Sequence, residues 1–121
     1  MLIKNLLRDC PEFVAGDHTR LRELLNPHND PNFPGRYSLA HAVVDVGKAS
    51  TPHRMITNEV YYILNGDGVM HIDNESSAIH KGDVLSIPPN ATQWIENTGT
   101  DSLVFICIVD PAWRKEDEIV M

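Results

Sequence analysis

From Arg36 to Asp110 the chain is cut into short segments by turn signals at nearly even intervals. These are Asn65-Gly66-Asp67-Gly68, Asp73-Asn74, Lys81-Gly82-Asp83, Pro88-Pro89-Asn90 and Asn97-Thr98-Gly99-Thr100. The segments between them, 36–46, 51–55, 59–65, 68–73, 76–80, 83–87, 92–97 and 101–110, are strand-length and rich in β-branched and aromatic residues. No ten-residue helical pattern interrupts them. Short strands at such spacing close into a sandwich or barrel, because a lone sheet of this kind would leave one face and both edges bare.

The first half of this region holds a chemically loaded pattern. Gly47 is followed by five residues, then His53, one residue, Met55, three residues, Glu59, six residues and Gly66. Alternate side chains of a strand share a face, so His53 and Met55 point one way, and Glu59, Tyr61 and Ile63 share a face of the next strand. A turn at residues 56–58 is expected to join the two strands as a hairpin. An imidazole, a thioether and a carboxylate would then converge, which is the working part of a metal site or the remains of one. A second pattern follows: Gly82, five residues, Pro88, Pro89, Asn90, two residues, Gln93, three residues and Asn97.

Together the two patterns resemble the paired motifs of the cupin superfamily, in its small single-domain, conserved-barrel form. Met55 stands where that family usually carries its second histidine, and Gln93 where it carries the last one. Asn90 replaces the usual glycine, which Asn can do because it tolerates a left-handed turn. The resemblance implies an all-β, double-stranded β-helix (a jelly-roll barrel) of about eight to eleven strands in a single domain, with a pocket inside one end. It says less about activity, since this fold hosts many unrelated functions.

Glu59 lies in an otherwise apolar strand, Glu59-Val60-Tyr61-Tyr62-Ile63-Leu64, and an interior carboxylate needs a cation or metal beside it. One partner would be a metal also held by His53. The bland alternative is a salt bridge to Arg54 or another arginine. Gln93 offers a neutral oxygen as a third metal ligand; it could equally hydrogen-bond a substrate or hold Glu59. Met55 is read as pocket wall, since a thioether is a weak ligand for hard cations. His53, Glu59 and Gln93 would thus make a weak three-ligand site for a divalent transition metal (Zn, Ni, Fe or Mn). Tyr61 shares the inward face of Glu59. In small cupins the positions of Phe105 and Cys107 line the mouth of the site, so the resemblance places both there; otherwise Cys107 is a small buried hydrophobe. His41 lies where either face could be interior. His71 and His80, on strands away from the motif, are expected in solvent.

Upstream, 19–25 mixes helix-favouring residues with alternation and is read as a strand, and 28–35 is a loop. The expected organisation is a segment 1–35 that packs in a dimer, a barrel over 36–110 and a tail over 111–121 with one turn of helix near residues 112–116. Trp94 and Tyr62 should face outward, against an opposing layer or a second subunit. Small cupins are commonly dimers with paired N-terminal strands, so a homodimer is implied. The formal net charge of −7 argues against a nucleic-acid partner. No apolar run approaches a membrane span, the opening residues lack a signal-peptide pattern, and Cys10 and Cys107 do not make a disulfide framework; a cytoplasmic setting is expected. Three functions remain open: a metal-dependent enzyme acting on a small polar molecule, a non-catalytic module binding a sugar or small acid at a degenerate metal site, and a structural dimer with a vestigial pocket.

Overall fold

The computed structural model describes residues 1–121. In chain order the elements are α1 (Leu6–Asp9), β1 (Glu12–Val14), β2 (Arg20–Leu25), β3 (Ser38–Val44), β4 (His53–Met55), β5 (Asn58–Asn65), β6 (Asp67–Ile72), β7 (Glu75–His80), β8 (Val84–Ile87), β9 (Gln93–Asn97), β10 (Leu103–Asp110), a 3-10 turn (Lys115–Asp117) and β11 (Glu118–Val120). The eleven strands form two facing sheets, ordered β1-β2-β3-β10-β5-β8 and β11-β4-β9-β6-β7. Every pairing between them is antiparallel. This is the expected double-stranded β-helix. No helix is long and apolar enough to cross a membrane.

Period-2 alternation does what the sequence pattern demands. Along β10, Leu103, Phe105, Cys107 and Val109 are buried and their neighbours half-exposed. Along β5, Glu59, Tyr61 and Ile63 are buried while Tyr62 turns outward. These inward faces meet Met55, Met70 and Ile95 of the other sheet in one core. A fully buried Leu or Ile side chain contributes about 1.5–3 kcal/mol, so the core supplies the main driving force for closing the sandwich.

Turn chemistry fixes the crossings. Asn90 has φ 67°, the left-handed conformation for which the usual residue is glycine, and its N–H donates to the Met55 carbonyl at 2.7 Å. Gly66 has φ 91°, and a Cβ there would stand 2.7 Å from the Ser102 carbonyl oxygen. Asn97 is a structural tie. Its side-chain nitrogen donates to the Val44 and Asp101 carbonyls at 3.0 and 2.8 Å, and its oxygen accepts the Gly99 N–H.

One expectation needs correcting, and two elements go beyond what the sequence marked. β4 and β5 are not a hairpin: β4 pairs with β9 and β11, whereas β5 pairs with β10 and β8. Residues Ile56 and Thr57 carry the chain from one sheet to the other, so His53 and Glu59 approach across the sandwich rather than within a ladder. The tail adds a strand, because β4 has a free edge on the side away from β9, and β11 fills it with Met55 opposite Glu118. Near the start, α1 is a single turn that sequence period could not reveal; Asn5 Oδ1 caps it by accepting the Leu7 and Arg8 N–H groups.

Trp94 faces outward, where it stacks on His71 of the neighbouring strand with ring centroids 3.7 Å apart and planes 5° from parallel. His71 also bonds Ser76 and Glu96, so it is held against the sheet rather than left in solvent. His41 faces outward as well, since its neighbours Ala40 and Ala42 point into the barrel. Burial beside Arg22 pulls its pKa below the ordinary histidine value.

Candidate functional site

A cavity opens between the sheets, with about 40 Å³ accessible to water-sized molecules. That is room for a few atoms, not for a large organic molecule. β5 supplies Glu59 and Tyr61, β10 supplies Phe105 and Cys107, and β4 supplies His53. The structure therefore brings five of the seven expected site residues to one space. Gln93 and Met55 are buried but lie behind the wall: Met55 belongs to the core, and Gln93 sits beneath Glu59.

His53 is almost fully buried and its Nδ1 stands 3.0 Å from the Thr51 carbonyl. A carbonyl only accepts, so Nδ1 carries the proton and Nε2 the lone pair. Nε2 has no hydrogen-bond partner within the fold. Asp17 Oδ2 lies 3.7 Å from Nδ1 and steadies the same tautomer.

Glu59 makes no arginine salt bridge. Arg54, the candidate considered from sequence, points to solvent on the opposite face of β4. The carboxylate is instead met by neutral donors. Gln93 Nε2 donates to Oε1 at 2.5 Å, and the Cys107 thiol reaches Oε2 at 3.4 Å. The Tyr61 hydroxyl donates to Gln93 Oε1 at 3.0 Å, which fixes the amide with its nitrogen toward Glu59. Burial raises the Glu59 pKa above the usual carboxylate value, opposed by Gln93, by His53 and by Cys107. Burial, with Glu59 alongside, also pushes Cys107 and Tyr61 well above their ordinary values. Cys107 is thus held as a thiol donor to Glu59.

This network decides how the residues suit a metal. Three or more nitrogen or oxygen donors must converge on a bound divalent ion. Here no group of three His, Cys, Asp or Glu side chains does so. The Gln93 oxygen is taken by Tyr61 and its N–H groups face Glu59. His53 Nε2 and Glu59 Oε2 remain, two donors rather than three. As placed, these residues do not fit the three-ligand centre expected from spacing.

A family model for the cupin domain matches residues 40–109, more than half of the chain. The chain belongs to the cupin family. This cupin is 36% identical over 121 residues to the uncharacterized protein MJ1618 of Methanocaldococcus jannaschii, covering 99% of this chain and 95% of that one. It is 39% identical over 51 residues to the oxalate-binding protein of Thermotoga maritima, 42% of either chain. In three dimensions it resembles a cupin 2 conserved barrel protein of Salinispora arenicola, with TM-score 0.76 and 20% identity, over 96% of this chain and 91% of that one.

Outside the matched stretch, the structure adds cavity residues that spacing did not single out: Asp17 and Thr19 from the turn between β1 and β2, Glu23 from β2, and Trp113 and Glu118 from the tail. Glu23 was recoverable, since Leu21 and Glu23 alternate onto one face of β2. Asp17 in a turn and Glu118 on a three-residue strand carry no pattern that would mark them.

Proposed function

We propose that this cupin is a small-molecule-binding module whose ligand enters the cavity and meets His53 Nε2 and Glu59, with no metal required. The observation that carries this reading is the Tyr61–Gln93–Glu59 chain of hydrogen bonds, which occupies both ends of the amide that a metal would need. Phe105 and Tyr61, with ring centroids 4.5 Å apart, give the ligand an apolar wall. The test is a thermal-shift screen of small polar molecules on chelator-treated protein. Hits lost in His53→Ala and retained with chelator support the reading; hits that all require added metal overturn it.

A second reading, a metal-dependent enzyme, is favoured by one observation. The His53 tautomer leaves Nε2 as a free lone pair, with Nδ1–H on a backbone carbonyl as histidine ligands usually have it. That reading needs the Gln93 amide to turn over and bring its oxygen beside Glu59. Metal analysis of protein purified without chelator separates the two.

The homodimer is proposed on the strand edge. All three residues of β1 are exposed, and one edge of that strand has no partner in the sheet. A second copy of the chain can supply it by strand addition.

A further inference from the structure

Four carboxylates line the cavity: Asp17, Glu23, Glu59 and Glu118. No lysine or arginine does. Every Lys or Arg ion pair in the molecule lies elsewhere, and the only ion-pair contact made by any of the four is the one between Asp17 and His53. Their partners are neutral: the Thr19 N–H for Asp17, the Asn26 amide for Glu23, the Trp113 indole N–H for Glu118, and Gln93 with Cys107 for Glu59. His53 is the one basic side chain in the lining, and four carboxylates set against it leave a negative potential in the cavity.

An independent observation aims the same way. His53 is buried to within a few per cent, faces the cavity, and presents an unpartnered nitrogen lone pair to it. A lone pair asks for a hydrogen-bond donor, and so do the free carboxylate oxygens. Aromatic rings of Tyr61, Phe105 and Trp113 complete the lining, surfaces that favour a cation over their faces. Because no three ligands converge, a bare metal ion is poorly served, whereas an N–H-bearing cation can use these acceptors singly.

Resting on the binding reading above, we infer that the cavity selects a small organic ammonium ion, such as the head of a primary amine, and rejects carboxylates. This sets the chain apart from what the oxalate-binding relative is named for. Oxalate is a dianion, and here it would face four carboxylates with no lysine or arginine to bridge them.

The test titrates chelator-treated full-length protein, followed by amide NMR shifts, with four probes: n-butylammonium, n-butanol, n-butyrate and oxalate. Butylammonium is expected to shift resonances around His53 and Glu59, with butanol at least about tenfold weaker and both carboxylates silent. Asp17→Asn and Glu118→Gln keep the acceptor geometry but remove a charge, and each should weaken butylammonium about fivefold, the effect of about 1 kcal/mol. Butanol or a carboxylate binding the same residues as tightly as the ammonium overturns the charge selection while leaving the binding reading intact. Silence from all four probes overturns the ammonium selection, and the binding reading is then judged by the thermal-shift screen. Tight Zn²⁺ uptake that displaces butylammonium would assign the charge to a metal instead.

Discussion

Gln93 faces Glu59 with its nitrogen, not its oxygen, and the two side chains touch at 2.5 Å inside the barrel. A residue that spacing marks as a metal ligand is thereby the hydrogen-bond donor that keeps a buried carboxylate satisfied. Hydrogen bonds to charged groups are worth about 1.5–3 kcal/mol, and a buried carboxylate stripped of its donor costs more than the bond alone. Gln93→Leu should therefore destabilise the fold by about 2–3 kcal/mol, measured by urea denaturation. A loss under about 0.5 kcal/mol, the range of an ordinary surface substitution, would mean the contact is idle.

Gln93→His replaces the donor amide by an imidazole beside Glu59 and across the ladder from His53, its partner in the β4–β9 pairing. It should bind Zn²⁺ or Ni²⁺ more tightly than the parent, because two imidazoles and a carboxylate suit these ions. Calorimetric titration of both proteins reads this directly. Glu59→Gln in the same background should abolish the gain.

Met55→His should not do the same. Met55 is in the core behind the cavity wall and 2% exposed, so an imidazole there meets apolar neighbours. The expected result is a loss of stability of about 2 kcal/mol or more with no metal uptake, checked in the same denaturation and titration experiments.

Stability should depend on pH through Glu59. Its folded pKa is raised by burial above the unfolded value, so the folded protein holds the proton more tightly. That contribution is complete below the ordinary carboxylate value, about 4.3, and is lost as pH rises through the raised value. Urea midpoints of the parent should therefore fall across that window relative to those of Glu59→Gln, in which the group no longer titrates. Parallel curves for the two proteins would contradict the sign.

Light scattering at micromolar concentration should give twice the chain mass of 13.6 kDa. Val14→Pro, on the exposed edge strand, should shift the protein toward monomer, since proline removes a ladder donor. A monomeric parent removes the strand-addition proposal.

Much of the barrel was legible because it depends on local rules. Period-2 alternation put Tyr61 on the face of Glu59 and Phe105 on that of Cys107, the family resemblance turned that second face toward the site, and the positive-φ positions Gly66, Gly82 and Asn90 sat at turns that the dipeptides announced. The sheet assignment of β4 was not legible, because a short turn between strands looks the same whether it returns along the ladder or crosses to the facing sheet. The partner of Glu59 was hidden for a similar reason. Spacing fixes which side chains face inward, but not which end of an amide they present. The carboxylates at 17 and 118 meet only through the fold, 101 positions apart in sequence.

Three of the four cavity carboxylates, Asp17, Glu23 and Glu118, stand outside residues 40–109, the part that matches the family. β11 reaches the site by zipping onto the strand that carries His53. The proposed charge selection therefore rests on two flanking segments, while His53 and Glu59 belong to the matched barrel. Chimeras that exchange those segments between relatives should carry ligand preference with the segments, and thermal stability with the barrel.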